Sequence, residues 1–370
     1  MQGTRKHRSR LCSIGGMSNA IADFWKWWAD AGAVFAAAFD LKAAPTDEMV
    51  TELNSYVENI AEGLAWEFGP GVHARHGLSL TSLGDPELRL VAEGWRMSAP
   101  RAVANDNNRN NGEGADADGG AGPAPTWDYF TARQAHPGEL TLTLAIGGVD
   151  IDYARLRVEL APDSARERIG VLLWHPSFAD IDEALQRQVA FLALDAAIGE
   201  DGVERWLGAI ETTTAEPAAA VALGALRDAV AVMAQASTGE RYAVLRGVLP
   251  SGLPVFAAVN FACKRVDYLL YVMHAQLTVA ILAPNEHGLP AAAEGEQLAA
   301  LEDALTASLG HHAVFFGRET FESKRIFHWF AVEDGQARAV LDAWSAAHPE
   351  RSPQLLWQRD AGWSAASKFG

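Results

Sequence analysis

Cysteine is nearly absent from this chain: Cys12 and Cys263 are its only two in 370 residues, and Cys12 lies in a basic leading stretch. A disulfide framework is thereby excluded, and a reducing compartment is the natural reading. Long apolar runs are missing too. The most apolar one, YLLYVMHAQLTVAIL at 268–282, carries His274 and Gln276 and is shorter than the roughly 20 residues that cross a bilayer. The expectation is a soluble cytoplasmic protein with no membrane partner. Residues 1–16 are basic but lack the apolar stretch of about 7–15 residues that an export signal needs. They read as a disordered tail, or as a start assigned upstream of Met17. Signatures of chemistry are also missing: there is no glycine-rich phosphate loop ending in Gly-Lys, no dinucleotide fingerprint, no nucleophile elbow, no zinc-protease histidine pair and no Cys-x-x-Cys set. No catalytic residue and no cofactor are therefore assigned.

Positive charge is scarce and unevenly spread. The net charge is −17, and residues 17–237 hold 33 acidic against 15 basic side chains. Such a field repels nucleic acid at long range and steers a basic partner toward that half.

What is present is patterned. DFWKWWADAGAVFAAAF from Asp23 and TDEMVTELNSYVENIAEG after Pro45 have helical apolar spacing, so they predict a helical hairpin with Thr46 or Asp47 as the second N-cap. LAWEF and LSLTSL predict strands around the loop GPGVHARHG, and PELRLVAEGWRM returns to helix. Residues 102–125, rich in Asn, Asp and Gly, hold nothing to bury and read as a disordered insertion. Segments from Trp127 to His175 predict an antiparallel meander, followed by helices that end at Ser237, Thr238 and Gly239.

The boundaries expected are thus a tail at 1–16, an N-terminal α+β domain at 17–237 and a C-terminal domain at 238–370. The last reads as a strand pair followed by β-α-β-β-α-β, a ferredoxin-like sheet with an N-terminal hairpin extension. The whole is an α+β protein of two domains.

Within that sheet FFGRETFESKRIFHWF, 315–330, forms the central hairpin, with Glu322, Ser323 and Lys324 at its turn. Apolar residues fall on both faces, and the helices of a ferredoxin-like domain cover one. The second face must meet other structure or a partner. Phe316, Arg318, Thr320, Arg325, Phe327 and Trp329 are the candidate binding residues. Cross-strand pairing accounts for Arg318, Glu319, Lys324, Arg325 and His328 without catalysis. His73 and His76, three apart in a glycine-bent loop, are a weak metal pair that would need one or two further ligands. A calcium-like run from Asp106 fails at its sixth and twelfth positions, Asn111 and Ala117.

The second domain resembles a bacterial family, domain of unknown function 695. The likeness rests on a Gly-Leu-Pro turn at 288–290, an acidic helix with Glu294, Glu302 and Asp303, Gly317 with Thr320, Arg325 with Phe327, and Asp360 with Trp363. The family has no assigned activity. It occurs beside domains similar to a ferredoxin-like regulator of ribonuclease E, and relatives are candidate immunity proteins of toxin systems. The resemblance implies a non-catalytic binder of another protein, a regulator, inhibitor or immunity-type factor, and the acidic excess of residues 17–237 points to a basic partner such as a toxin or nuclease. Two alternatives stand beside it. One is a hydrolytic enzyme using His73 and His76 with a carboxylate. The other is a structural module that pairs with its own copy, since oligomeric state is not legible in the sequence.

Overall fold

The computed structural model describes residues 14–100 and 126–369. The tail, Cys12 and the insertion with its calcium-like run lie outside the described residues, apart from the first turn of the first helix. The fold is α+β, as expected. Its compact units are residues 1–134 and 135–370, so the sequence boundary near 237 falls within the second unit.

In the first unit, α1 (Ile14–Asp40) and α2 (Asp47–Ile60) form the helical hairpin. The Thr46 hydroxyl caps α2 by accepting from Met49 N at 3.3 Å, which satisfies one of the orphan amides of the first turn. Strands β1 (Ala65–Pro70) and β2 (His76–Thr81) pair antiparallel. Helix α3 (Pro86–Met97) follows, and β3 (Trp127–Phe130) then adds parallel to β2. Tryptophan holds this unit together. Trp25 stacks on Trp95 at 5.0 Å, and three buried indole N–H groups find acceptors: Trp25 at the Trp95 carbonyl, Trp28 at the Tyr129 hydroxyl and Trp127 at the Gly32 carbonyl. A buried indole usually has such a partner, because an unpaired one forfeits part of what burying the ring gains; Trp95, whose Nε1 has no acceptor among the described residues, is the exception.

The second unit opens with a short hairpin, β4 (Thr143–Ile146) and β5 (Val149–Asp152), then β6 (Arg157–Asp163) antiparallel to β7 (Arg168–Trp174). Helices α4 (Glu183–Ile198) and α5 (Glu200–Trp206) follow. Strand β8 (Leu207–Thr213) then lies parallel to β7, with a short β9 (Val221–Ala222) on β6 and α6 (Ala225–Ala236) closing the layer. By its spacing the sequence predicts helix through Ile210, yet Leu207–Thr213 is strand. Its β-branched residues and its place beside β7 make it a strand, a tertiary choice that overrides local pattern. The inward face of β6 and β7 supplies Val158, Ile169, Val171 and Leu173 to a core with Val189, Ala193 and Leu194 of α4.

The rest is one six-stranded sheet in the order β10-β11-β13-β14-β12-β15. Its strands are β10 (Tyr242–Val248), β11 (Pro254–Asn260), β12 (Met273–Ala280), β13 (Ala313–Phe321), β14 (Lys324–Ala331) and β15 (Gln354–Arg359), with α7 (Ala292–Leu309) after β12 and α8 (Gln336–Ala347) after β14. From β12 onward this is the ferredoxin-like β-α-β-β-α-β unit, and β10 and β11 extend it as a hairpin beside β13. The β13–β14 turn has two residues, Glu322 and Ser323, both with positive φ (44° and 60°). That is the twist a tight hairpin requires. Gly317 is needed for a different reason: a Cβ there would meet the Ala258 carbonyl oxygen at 2.5 Å.

Both faces of the central strands β13 and β14 are covered. Trp329 and Phe327 lie on the face carrying α7 and α8, and the Trp329 indole donates to Thr306 Oγ1 of α7 at 3.4 Å. The opposite face is closed by the chain itself: Trp363 stacks on Phe330 at 3.8 Å and 4°, and Phe369 packs against Phe316. Asp360 folds this C-terminal segment by accepting from the amides of Ser364 and Ala365 at 2.7 and 2.8 Å. Among the described residues no helix is long and apolar enough to cross a membrane.

Candidate functional site

The six candidate binding residues are brought together by β13 and β14, but inside the domain. Phe316, Thr320, Arg325, Phe327 and Trp329 are buried, and Arg318 Nη1 is held by Glu302 Oε1 at 2.5 Å. The second sheet face, expected to meet either other structure or a partner, is covered by residues 360–369 of the same chain. Arg325 Nε donates to Thr320 Oγ1 at 3.1 Å across the hairpin register. Burial, then the neighbouring Arg318, brings the Arg325 guanidinium down to about 10. These groups clamp α7 to the sheet.

The loop with His73 and His76 has its own organiser. The carboxylate of Asp128 is buried, and its Oδ2 accepts from the backbone amides of Val72, His73 and Ala74 at 2.6, 2.7 and 3.0 Å. Three amides converging on one oxygen make a compact anion nest, and they fix the loop without any histidine side chain. The His76 ring pairs with Asp40 at 3.1 Å and packs on Phe39 and Trp127. His73 is exposed. The two imidazoles are thus placed differently, and among the described residues no three His, Cys, Asp or Glu side chains are grouped to hold a metal ion.

Sequence reasoning did not foresee a buried histidine relay. His274 on β12 and His328 on β14 lie two residues out of register, on the same face of the sheet, and their rings stack in parallel with His274 Nε2 3.0 Å from His328 Nδ1. His328 Nε2 reaches Glu319 Oε1 at 2.9 Å, and Lys368 Nζ reaches the same oxygen at 2.6 Å. The protons follow from this geometry. Burial would raise the Glu319 carboxyl, but hydrogen bonds from His328 and Lys368 and the Lys368 charge bring it down to about 2, so it is an ionised acceptor. His328 therefore donates through Nε2, its Nδ1 accepts from His274 Nε2–H, and His274 Nδ1 is left a bare acceptor with no partner.

Protonating His274 would put an N–H where nothing receives it. Burial and then His328 depress its imidazole to about 4 from the ordinary 6.5. The native state thus keeps His274 neutral while the unfolded chain takes up a proton below 6.5, so stability is full above that pH and is lost as pH falls from 6.5 toward 4. The expected loss is about 3 kcal/mol, measured by urea unfolding at stepped pH. A His274→Leu variant whose stability fell as steeply over that window would refute the assignment.

Among the described residues β10 and β15 are the two outer strands, each paired on one side. On β10, Tyr242, Val244 and Val248, alternate residues of one face, are 47%, 70% and 71% exposed. Arg246, between them on that face, lies over the Phe256 ring of β11 at 5.8 Å.

Neither a curated protein nor a solved structure matches the chain. The sheet from β11 onward, with its helices and its covering C-terminal segment, has a counterpart in sequence: residues 254–369 match the model described as Family of unknown function (DUF695).

Proposed function

We propose that this protein acts by binding another polypeptide, as a non-catalytic regulator, inhibitor or immunity-type factor, and that an extended segment of the partner adds alongside β10. The observation that carries the reading is the open edge of β10 with its exposed row of Tyr242, Val244 and Val248. An unpaired strand edge offers alternate N–H and C=O groups in register, and apolar side chains beside it supply pockets for the incoming strand. Proteins ordinarily blunt such an edge with charge or proline; here Arg246 is the one charge in the row, and its guanidinium lies over the Phe256 ring of β11. The net charge of −17 favours a basic partner such as a toxin or nuclease, by steering rather than by contact.

The test uses the full chain with Val244→Lys and Val248→Lys, two exposed positions where charge blocks edge pairing and leaves the core untouched. A basic polypeptide retained by the unaltered protein, lost by the double variant and weakened at high salt is the expected result. Retention of the same polypeptides by both forms would overturn the reading. Light scattering on both forms separates the self-pairing alternative: a dimer that the double variant converts to monomer would mean that β10 pairs with its own copy.

A further inference from the structure

Residues 135–370 enclose a second feature that the edge strand does not involve, a cavity of about 790 Å³. This lies within the range of about 300–1,000 Å³ typical of small-molecule sites. Its floor is the outer face of the β6–β7–β8 strands. Ala161 of β6 stands opposite Gly170 of β7, and Gly208 and Ala209 of β8 continue the surface. Residues with little or nothing beyond Cβ leave that face open. The wall from the six-stranded sheet is aromatic and buried: Phe261, Phe316 and Trp363.

The charges around the cavity do not balance. Arg166 is paired with Asp163 at 3.0 Å, and Arg265 with Glu204 at 2.6 Å. Lys264 and Arg168 have no carboxylate in hydrogen-bonding reach. Lys264, 5% exposed, donates to the carbonyls of Arg166 at 3.0 Å and Glu167 at 3.5 Å. Arg168 donates to the carbonyls of Glu204, Arg205 and Leu207. Backbone carbonyls orient these two cations; Glu204 acts on Arg168 and Glu167 on Lys264 through space, without a direct hydrogen bond to either, and drawing two neighbouring like charges out of water remains costly. The cost is visible in the lysine: burial, then Arg168, lowers its ammonium to about 7 from 10.5.

We propose that this cavity binds a small anionic ligand, a phosphate or carboxylate attached to a flat apolar ring, with Lys264 and Arg168 taking the anion and Phe261, Phe316 and Trp363 contacting the ring. The anion gives both cations a directly hydrogen-bonded charged partner, where they now have only carbonyls. The ring fits the aromatic wall, and the stripe of small residues on β6, β7 and β8 gives it room.

Phenyl phosphate is the probe, titrated calorimetrically into the full chain, with benzoate for the carboxylate form and with phenol and inorganic phosphate as half-ligands. Two variants separate charge from space. Lys264→Met removes a cation. Gly170→Val fills the floor, where an added Cβ makes only ordinary contact with Ala161. The expected result is saturable binding of phenyl phosphate or benzoate, weakened at least tenfold by each variant, with both half-ligands weaker still. No binding of either ring-bearing anion would overturn the proposal, as would equal binding by all three proteins. Weakening by Lys264→Met alone would overturn it as well, by placing the anion outside the cavity. Unfolding of each variant in urea shows that it is folded before it is titrated.

Discussion

Glu294→Ala is expected to lower the unfolding free energy by about 3–5 kcal/mol, because it leaves a buried guanidinium without its counter-ion. Glu294 stands in the first turn of α7, where a negative charge suits the helix end. It is buried, as is Arg351 beyond α8. Its Oε1 accepts from Arg351 Nη1 at 2.7 Å and from the amide of Leu282 at 3.0 Å. One carboxylate thus ties together the end of β12, the start of α7 and the turn before β15. Substituting both members, as Glu294→Leu with Arg351→Met, should recover most of the loss, since an apolar pair asks for no desolvation. What remains is the unpaired Leu282 amide, about 1 kcal/mol. A urea double-mutant cycle measures all four states; a single-variant loss below about 1 kcal/mol would show that the pair is not under load.

The second large effect belongs to Trp363. Its indole stacks on Phe330, donates to the Tyr271 carbonyl at 2.8 Å and lies parallel to the Tyr268 ring at 6.1 Å. Trp363→Ala should cost about 3–5 kcal/mol, as truncation of a buried aromatic generally does. It should also admit a hydrophobic dye to the sheet face that residues 360–369 cover, because Phe316 and Phe330 lie beneath. Trp363→Phe keeps the stack and loses the indole hydrogen bond, so its loss should be less than half as large. Equal stability of the alanine variant and the parent, without dye binding, would mean that the segment is not part of the core. Backbone strain enters the comparison too: Trp363 has φ 53°, a conformation held only because its side chain is anchored on three sides.

Much of the C-terminal sheet was legible in advance, and the reason is local. The Phe321–Lys324 hairpin is announced by its turn, and α7 and α8 by long stretches of helical spacing between β-branched and aromatic runs. Length and pattern agree there, so the β-α-β-β-α-β order follows. Strand β8 was missed because Leu207–Thr213 follows directly on α5 and is short; what makes it a strand is the neighbouring β7, which no local window contains. The parallel pairing of β3 with β2 across residues 82–126 was hidden for the same reason.

The candidate site failed to emerge for a different reason. Aromatic residues on both faces of a hairpin do signal two covered faces, but not which part of the chain does the covering. The histidine relay had no sequence signal beyond two histidines in apolar strands, because its meaning lies in which nitrogen faces which. Lys264 carries no signal in the sequence, and only its burial among carbonyls sets it apart.

The residues that carry the family resemblance are largely engaged in building the domain. Gly288, with φ 71°, seats its turn on the hairpin, where its carbonyl accepts from the Ser323 amide at 2.9 Å. Glu294 holds Arg351, Glu302 holds Arg318, Gly317 allows β11 to approach, and Asp360 folds the covering segment. The edge strand β10 and the β6–β7–β8 floor of the cavity lie before residue 254, outside the stretch that matches the family. Lys264 and the aromatic wall of Phe261, Phe316 and Trp363 fall inside that stretch, so the cavity is built from both parts of the chain and the edge strand from the part before it.

The strand order carries a last consequence, in chain entropy. β13 and β14 meet across a two-residue turn, so their pairing asks almost nothing in loop closure, whereas β12 and β15 come from opposite ends of the domain and must bring α7, the hairpin and α8 with them. Loop closure grows costlier with the length enclosed, and contacts between distant segments are slow to form. β15 stands at the outer edge of the sheet and has β12 as its only neighbour. It is thus the strand that costs the most order to place and is held by a single row of hydrogen bonds, while the hairpin at the centre is cheap to form and bound on both sides.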